Sequence, residues 1–196
     1  MYRSLLWVGL ALSYAGQALA AGPAANGSAA REYEVRIVEV ALADDGPREM
    51  EEIARNFRDD VIDNRGEIVQ TLLLTAVDGH PTRFVQSKKF DLLEPMPSPL
   101  GGQSLSERQY WLGFAVELSV KKMADSARLS LKYNHAFVPE WSPDSKVSDV
   151  VALGVEKTID LKEAAPVAIE LVPTDQESDP QGGKRYLIVS VSPDDA

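Results

Sequence analysis

The chain contains no cysteine and only two histidines, His80 and His135. The first absence removes disulfides, thiolate metal ligands and cysteine nucleophiles together, and with them lipidation of a cysteine at a processing site. The second leaves little for acid–base or metal chemistry, because a Ser-His-Asp triad would need one of these two and they lack the i, i+4 spacing of a zinc helix. His80 stands in the tight turn DGHP and reads as a turn residue. His135 falls on the apolar parity of its strand, where a core histidine with a hydrogen-bond partner is the better reading than a base. No serine lies in G-x-S-x-G, and there is no Walker loop or dinucleotide fingerprint. The acidic run DDVIDNRG fails as a calcium loop: with Gly66 as sixth residue, Val61 and Arg65 would occupy ligand positions one and five. Asp59, Asp60 and Asp63 then read as the solvated end of a helix. No catalytic, cofactor-binding or metal-ligating residue is assigned, and the chain is expected to be neither an enzyme nor a cofactor carrier.

Basic residues are also scarce. Lys and Arg number 20 against 30 Asp and Glu, a formal charge of −10. Lys88-Lys89 and Lys121-Lys122 are short pairs at strand ends, with no basic stripe interleaved with aromatics. Such a chain repels nucleic acid and anionic membrane surfaces, so the expected partners are proteins.

The first twenty residues, MYRSLLWVGLALSYAGQALA, carry Arg3, an apolar run from Leu5 and the small-residue signal Ala18-Leu19-Ala20. Ser13, Tyr14, Gly16 and Gln17 interrupt the run short of the roughly 20 apolar residues of a membrane span. The expected feature is a secretory signal peptide cleaved after Ala20, which places the mature chain in the periplasm. Residues 21–30 read as a flexible lead-in and 31–196 as one β-rich domain. Cleavage takes away only Arg3, leaving 19 basic against 30 acidic residues.

Periodicity then sets the elements. Residues 33–43, YEVRIVEVALA, have apolar side chains of one parity at Tyr33, Val35 and Ile37 and of the other at Val38, Val40 and Leu42. That pattern predicts a strand buried on both faces or bulged near Ile37-Val38. Glu39 is the polar exception, expected on the solvent side after a bulge, with pairing to an arginine as the alternative. Gly46-Pro47 opens a helix whose apolar face is Met50, Ile53, Phe57 and Val61, and Asn64 and Gly66 stop it. Ile68–Val77 and Thr82–Ser87 form strands about the hairpin pair Asp78-Gly79. The Pro- and Gly-rich stretch 91–108 reads as a long loop. Tyr110–Val120 and Ala127–Phe137 alternate cleanly around Ala124-Asp125-Ser126, a hairpin with one covered face, expected to cover the helix. After a polar loop, 139–148, strands follow near 150–161, 166–172 and 185–192, the last two separated by the charged turn 174–183. The expected class is mostly β with one main helix (α+β), an antiparallel or mixed sheet packed on that helix.

In this order the motifs resemble the C-terminal domain of bacterial secretins, the outer-membrane gates of type II and III secretion and type IV pilus systems. Ile37-Val38-Glu39-Val40 matches the family's opening strand, and the helix Met50–Ile62 falls where the family has one. TAVDGHPTRFVQ, residues 75–86, is similar to its turn and return strand. WLGFAVELSV, with Gly113 in the glycine position, is similar to its G-x-x-L-x-V strand. GVEKTIDLKEAAPVAIEL and RYLIVSVSP resemble its last strands. Two features depart: Leu72 stands where the family has a proline, and no Gly-Gly-Leu follows Ile169-Glu170-Leu171. The resemblance spans 33–193 and implies a secretin-like β-domain, a structural or accessory protein of a secretion or pilus system acting through protein contacts. A second class stays open: a periplasmic enzyme or ligand-binding module on a mostly β scaffold, with 91–108 as lid. The outward face of the clean hairpin carries Glu117, Lys121, Arg128, Lys132 and Asn134, which lipid would not accept. A monomer or small oligomer without stable membrane insertion is therefore expected.

Overall fold

The computed structural model describes residues 31–43, 48–97, 101–138, 150–162, 164–174 and 184–194, with the side chains of 92–97 and 103–105 left aside. Nine strands and one helix are placed: β1 (Glu32–Leu42), α1 (Met50–Ile62), β2 (Gly66–Val77), β3 (Pro81–Pro97), β4 (Gln103–Lys122), β5 (Ala127–Phe137), β6 (Val151–Leu161), β7 (Val167–Glu170), β8 (Val172–Pro173) and β9 (Lys184–Pro193). They form two sheets, ordered β2-β1-β9-β7 and β3-β4-β5-β6-β8. Every pairing is antiparallel. The class is mostly β with one helix.

The double parity of β1 has a direct cause. Tyr33, Val35 and Ile37 point into the space between the sheets, against Val116, Leu118, Leu129 and Leu131 of the second sheet. Val38, Val40 and Leu42 point the other way, onto Ile53, Ala54 and Phe57 of α1. β1 is thus the middle of three layers and is buried on both faces. Its ladder to β2 is irregular, but at Glu39/Val40, where Gln70 and Ile68 are the partners and Val69 is the extra residue. The bulge belongs to the neighbour strand and leaves β1 straight.

This layering corrects the expected place of the helix. α1 packs on the first sheet, and the apolar faces of β4 and β5 meet that sheet's opposite face. Clean alternation in a strand says that one face is covered, without saying by what. Met50, expected on the buried helix face, is exposed. The helix is anchored by Ile53 and Phe57, each contributing roughly 1.5–3 kcal/mol on burial. Glu51 and Glu52 lie in its first turn, favourable to the positive end of the dipole. Asn64, at φ 57°, turns the chain out of the helix. The N–H groups of Asp63 and Arg65 close its end on the carbonyls of Asp59 and Asp60, both at 2.8 Å. The proposed start at Gly46-Pro47 lies outside the described residues.

Asp78-Gly79 is a turn, but not that of a hairpin. β2 pairs with β1 and β3 with β4, so the turn carries the chain from one sheet to the other. The Gly79 N–H donates to the Val120 carbonyl at 2.7 Å, and Asp78 Oδ1 accepts from the Lys122 N–H at 2.8 Å. The corner is thereby fixed to the end of β4. Both flanks of the turn bury part of their apolar face between the sheets, which a flat two-stranded hairpin would not achieve.

Residues 91–97 and 103–108 are not a loop either. β3 continues to Pro97 and β4 starts at Gln103, paired without interruption from Phe90↔Tyr110 to Pro97↔Gln103. Pro95 and Pro97 are tolerated because β3 is, among the described residues, an edge strand whose other side has no ladder to interrupt. The turn Ala124-Asp125-Ser126 joins β4 and β5 as expected, with Met123 N–H donating to Ser126 O at 2.9 Å. Residues 139–148 and most of the charged turn 174–183 lie outside the described residues.

Candidate functional site

Two features stand out from the packed scaffold: a buried polar cluster between the sheets, and a two-stranded arm that leaves them.

The cluster is built on Glu39. It shares the inward parity of Tyr33, Val35 and Ile37, and its side chain is 0% exposed. This overturns the expected solvent position, because the bulge lies in β2 and does not rotate β1. Four residues converge on the carboxylate. His135 of β5 brings Nδ1 to 2.8 Å from Oε2 and 3.0 Å from Oε1. Arg185 of β9 donates from Nη1 to Oε1 at 2.8 Å. Gln70, the cross-strand neighbour on β2, donates from Nε2 to Oε2 at 2.8 Å. The Tyr133 hydroxyl donates to Oε2 and itself accepts from the Gln70 amide.

The electrostatics follow from this geometry. Burial pushes the Glu39 carboxyl upward, but the His135 hydrogen bond and charge, the Tyr133 hydroxyl and Arg185 outweigh it and hold it at about 2. Burial and the adjacent carboxylate push the Tyr133 phenol upward. Arg185 lies over the Phe137 ring, 3.7 Å from its centroid, and Phe137 is 5.0 Å from the His135 ring. Four donors satisfy the carboxylate within the core, three of them nearest Oε2 and Arg185 on Oε1. The arrangement does mechanical work: it ties β1, β2 and β9 of one sheet to β5 of the other.

His135 is thus a core histidine with a partner, as its parity implied. His80 stays in the exposed turn after β2, next to Gly79, whose N–H meets the Val120 carbonyl, while His135 is paired with Phe114. Six residues of β4 separate those two positions, about 20 Å of strand. The structure does not bring the two histidines together. Among the described residues no group of three or more His, Cys, Asp or Glu could hold a metal ion, and no helix is long and apolar enough to cross a membrane. Asp60 departs from its expected role at a solvated helix end: it is buried and ion-paired to Arg48 at 2.8 Å and Arg65 at 3.0 Å. It fastens the end of α1 to the segments on either side.

The arm is the distal part of β3 and β4. β4 pairs with β5 only from Gly113 onward, so Lys88–Pro97 and Gln103–Leu112 continue as a ribbon of two strands. Ten residues per strand reach roughly 30 Å beyond the sheet. Gly113 marks its root, at φ 130°, where a Cβ would lie 2.2 Å from the Gln86 carbonyl oxygen. At that root Trp111 (65% exposed) and Val85 (49%) stand on the outer face above a shallow groove of about 200 Å³ floored by Gly113, Ala136 and Ala152. Farther along the same face the surface becomes ionic, with Lys132 paired to Glu156 at 3.2 Å and Arg128 to Asp160 at 2.8 Å.

No protein-family model matches the chain. No curated protein matches it either. Among solved structures it is similar to secretins. The Salmonella SPI-1 type III secretion injectisome secretin InvG aligns over 85% of this chain and 65% of its own, with 10% identity and a TM-score of 0.47. The V. cholerae type IV competence pilus secretin PilQ aligns over 84% and 60%, with 11% identity and a TM-score of 0.38. The E. coli K12 type II secretion system secretin GspD aligns over 84% and 48%, with 10% identity and a TM-score of 0.36. The chain spans about two thirds or less of the length of each of these structures.

Proposed function

We propose that the protein is a non-enzymatic, extracytoplasmic secretin-like component, structural or accessory, that works by protein–protein contact in a secretion or pilus system. The arm carries this reading. A two-stranded ribbon is marginally stable in water on its own, and ribbons of this length persist where something packs on them. The exposed Trp111 and Val85 at its root form the kind of apolar surface that marks protein contact. The ordered sequence resemblance supports the same reading. Its opening motif is in β1, TAVDGHPTRFVQ runs through the turn from β2 into β3, WLGFAVELSV runs from the root of the arm into the sheet-bound part of β4, and RYLIVSVSP lies in β9. The internally saturated Glu39 cluster adds no site for substrate. Residues 91–97 and 103–108 are paired strand, which does not favour a closing lid.

The test removes the arm and keeps the sandwich. A chain in which Lys89–Trp111 is replaced by Asn-Gly should retain a cooperative thermal transition, since the core residues of β3 and β4 remain. In source cells lacking the chromosomal copy, it should fail to restore a secretion- or pilus-dependent phenotype that the full chain restores. Full restoration by the shortened chain, or turnover of an ester, peptide or glycan by the purified protein, would overturn the proposal.

A further inference from the structure

Among the described residues the two sheets end in four terminal strands, three of which are protected against pairing. The open stretches of β6 (Val155–Leu161) and of β4 in the arm carry charges, Glu156, Lys157 and Asp160 in the first and Glu107 and Arg108 in the second. β3 carries Pro81, Lys88, Lys89, Pro95 and Pro97. β8 has two residues, the second being Pro173, and β7 has four, directly preceded by Pro166. Prolines, lysines and short length are the ordinary devices that keep a sheet edge from recruiting another strand. β2 has none of these three; its one irregularity is the bulge at Val69, and Gln70–Val77 pair with β1 in unbroken register. Its sequence, GEIVQTLLLTAV, is twelve residues long and mostly apolar or β-branched, with no proline or lysine, and its one charge, Glu67, is near the start. It pairs with β1 on one side and is the last strand of its sheet among the described residues. Leu73 is 61% exposed and Ile68 47%, with Ile62 at the end of α1 also exposed.

We propose that β2 is a self-association edge at which a second copy of this chain adds its own β2, antiparallel, across a twofold axis. Charge argues for a copy over an unrelated strand. In an isologous antiparallel pair the residue on the axis faces its own copy and its neighbours face the residues reflected across it, so charges near the centre would lie close to their own copies and repel. The centre of β2 is Gln70, Thr71, Leu72, Leu73 and Leu74, all neutral, and antiparallel pairing sends the two Glu67 residues to opposite ends. A chain with an excess of ten acidic residues gains from an edge where this repulsion is least. The pairing fills a row of backbone donors and acceptors and covers Ile68 and Leu73 of both copies. The area falls below the roughly 800 Å² per partner of a standard stable interface, so a concentration-dependent dimer is expected, not a permanent one. The arm of β3 and β4 takes no part in it.

The absence of cysteine makes the test clean. Single-cysteine versions of the full chain at residues 69–73, plus Trp111→Cys in the arm, are oxidised and resolved without reductant. Cross-linked dimer should peak at one of the five central positions and be absent for Trp111→Cys, since a disulfide needs Cβ atoms about 3.8 Å apart. Sedimentation of the unmodified chain should show dimer increasing with concentration, and Thr71→Lys or Leu73→Lys should reduce the dimer fraction at least tenfold. Both side chains are exposed, so the thermal transition should be unchanged. A monomer at every concentration, a dimer that both lysine variants leave intact, or a ring in which no single-cysteine position in β2 cross-links to itself would overturn the proposal. Arm-shortened protein should dimerise normally, which separates this outcome from the role proposed for the arm.

Discussion

At the scale of the residue, Glu39 decides most. A buried carboxylate is tolerated only when other groups replace water, and here Arg185, His135, Tyr133 and Gln70 do so. The signal was present in the sequence. Glu39 has the parity of Tyr33, Val35 and Ile37, and His135 has that of Leu129, Leu131 and Tyr133, so each of two apolar faces contains one polar residue. What the sequence could not supply was which strands face each other, and hence that these two residues meet. The acid limb of stability should report the cluster. The Glu39 carboxyl falls from the ordinary 4.5 to about 2 on folding. Its contribution is therefore present above pH 4.5 and lost as pH falls through about 2. By linkage it is on the order of 3 kcal/mol. Glu39→Gln removes this dependence and leaves Arg185 unpaired. Denaturant unfolding should show the variant destabilised by about 3–5 kcal/mol at pH 7, with the gap to the unmodified chain closing towards pH 2. A constant gap across that range would show that the charge of Glu39 is not what the cluster uses. Tyr133→Phe, which deletes one donor and keeps the ring, should cost about 1.5–3 kcal/mol in the same assay.

At the scale of the element, local pattern was read well where one element fixes its own limits. The helix ends at Ile62, ahead of Asn64, and the β4–β5 turn is Ala124-Asp125-Ser126, both as local chemistry indicated. The helix begins, however, at Met50, after the non-helical Arg48 and Glu49, and not at Pro47. Pattern failed where the answer depends on a neighbour. Asp78-Gly79 has hairpin chemistry, yet its flanking strands belong to different sheets, because a turn's residues set its backbone angles and not the partners of its strands. The prolines of 91–108 argued for a loop, but an edge strand has a side on which a missing N–H costs nothing. Gly113 offers the sharpest check at this scale. At φ 130° it occupies a region essentially closed to other residues, and a Cβ would meet the Gln86 carbonyl oxygen at 2.2 Å. Gly79, at φ 74°, has nothing within 4 Å of the same atom. Gly79→Ala should therefore cost about 1–2 kcal/mol from the backbone alone. Gly113→Ala should cost more than twice that, because the β3–β4 ladder must open around it. Equal melting temperatures for the two variants would mean that the ladder at Gln86 and Ser87 yields without cost.

At the scale of the whole molecule, export and surface chemistry set the expectations. A cleaved signal gives a mature chain beginning at Ala21, which intact-mass measurement on material from the extracytoplasmic fraction would show. A chain beginning at Met1 in the membrane fraction would refute it. The more demanding question is whether the mature chain enters a bilayer. A lipid-facing strand must present an apolar side chain at every second position, about 25 Å deep. The outer face of the second sheet presents Glu117, Lys132 and Glu156 in one row across β4, β5 and β6, with Lys121, Arg128 and Asp160 in another. All six are exposed to solvent. The Arg128–Asp160 pair holds each partner in its charged form, raising the guanidinium pKa and lowering that of the carboxyl. One Lys or Arg at the bilayer midplane costs roughly 2–4 kcal/mol, and this face would place three there or near it. The arm is shorter in charge, but the described part of its surface still carries Lys88, Lys89, Asp91, Glu107 and Arg108. The mature chain should therefore remain in solution without detergent, as monomer or dimer, and leave the conductance of planar bilayers unchanged. Light scattering before and after adding detergent, together with bilayer recordings at several protein concentrations, tests both halves. A detergent-dependent ring with stepwise conductance would mean that these charged rows are turned away from lipid by neighbouring copies, and that the isolated chain misrepresents its working surface.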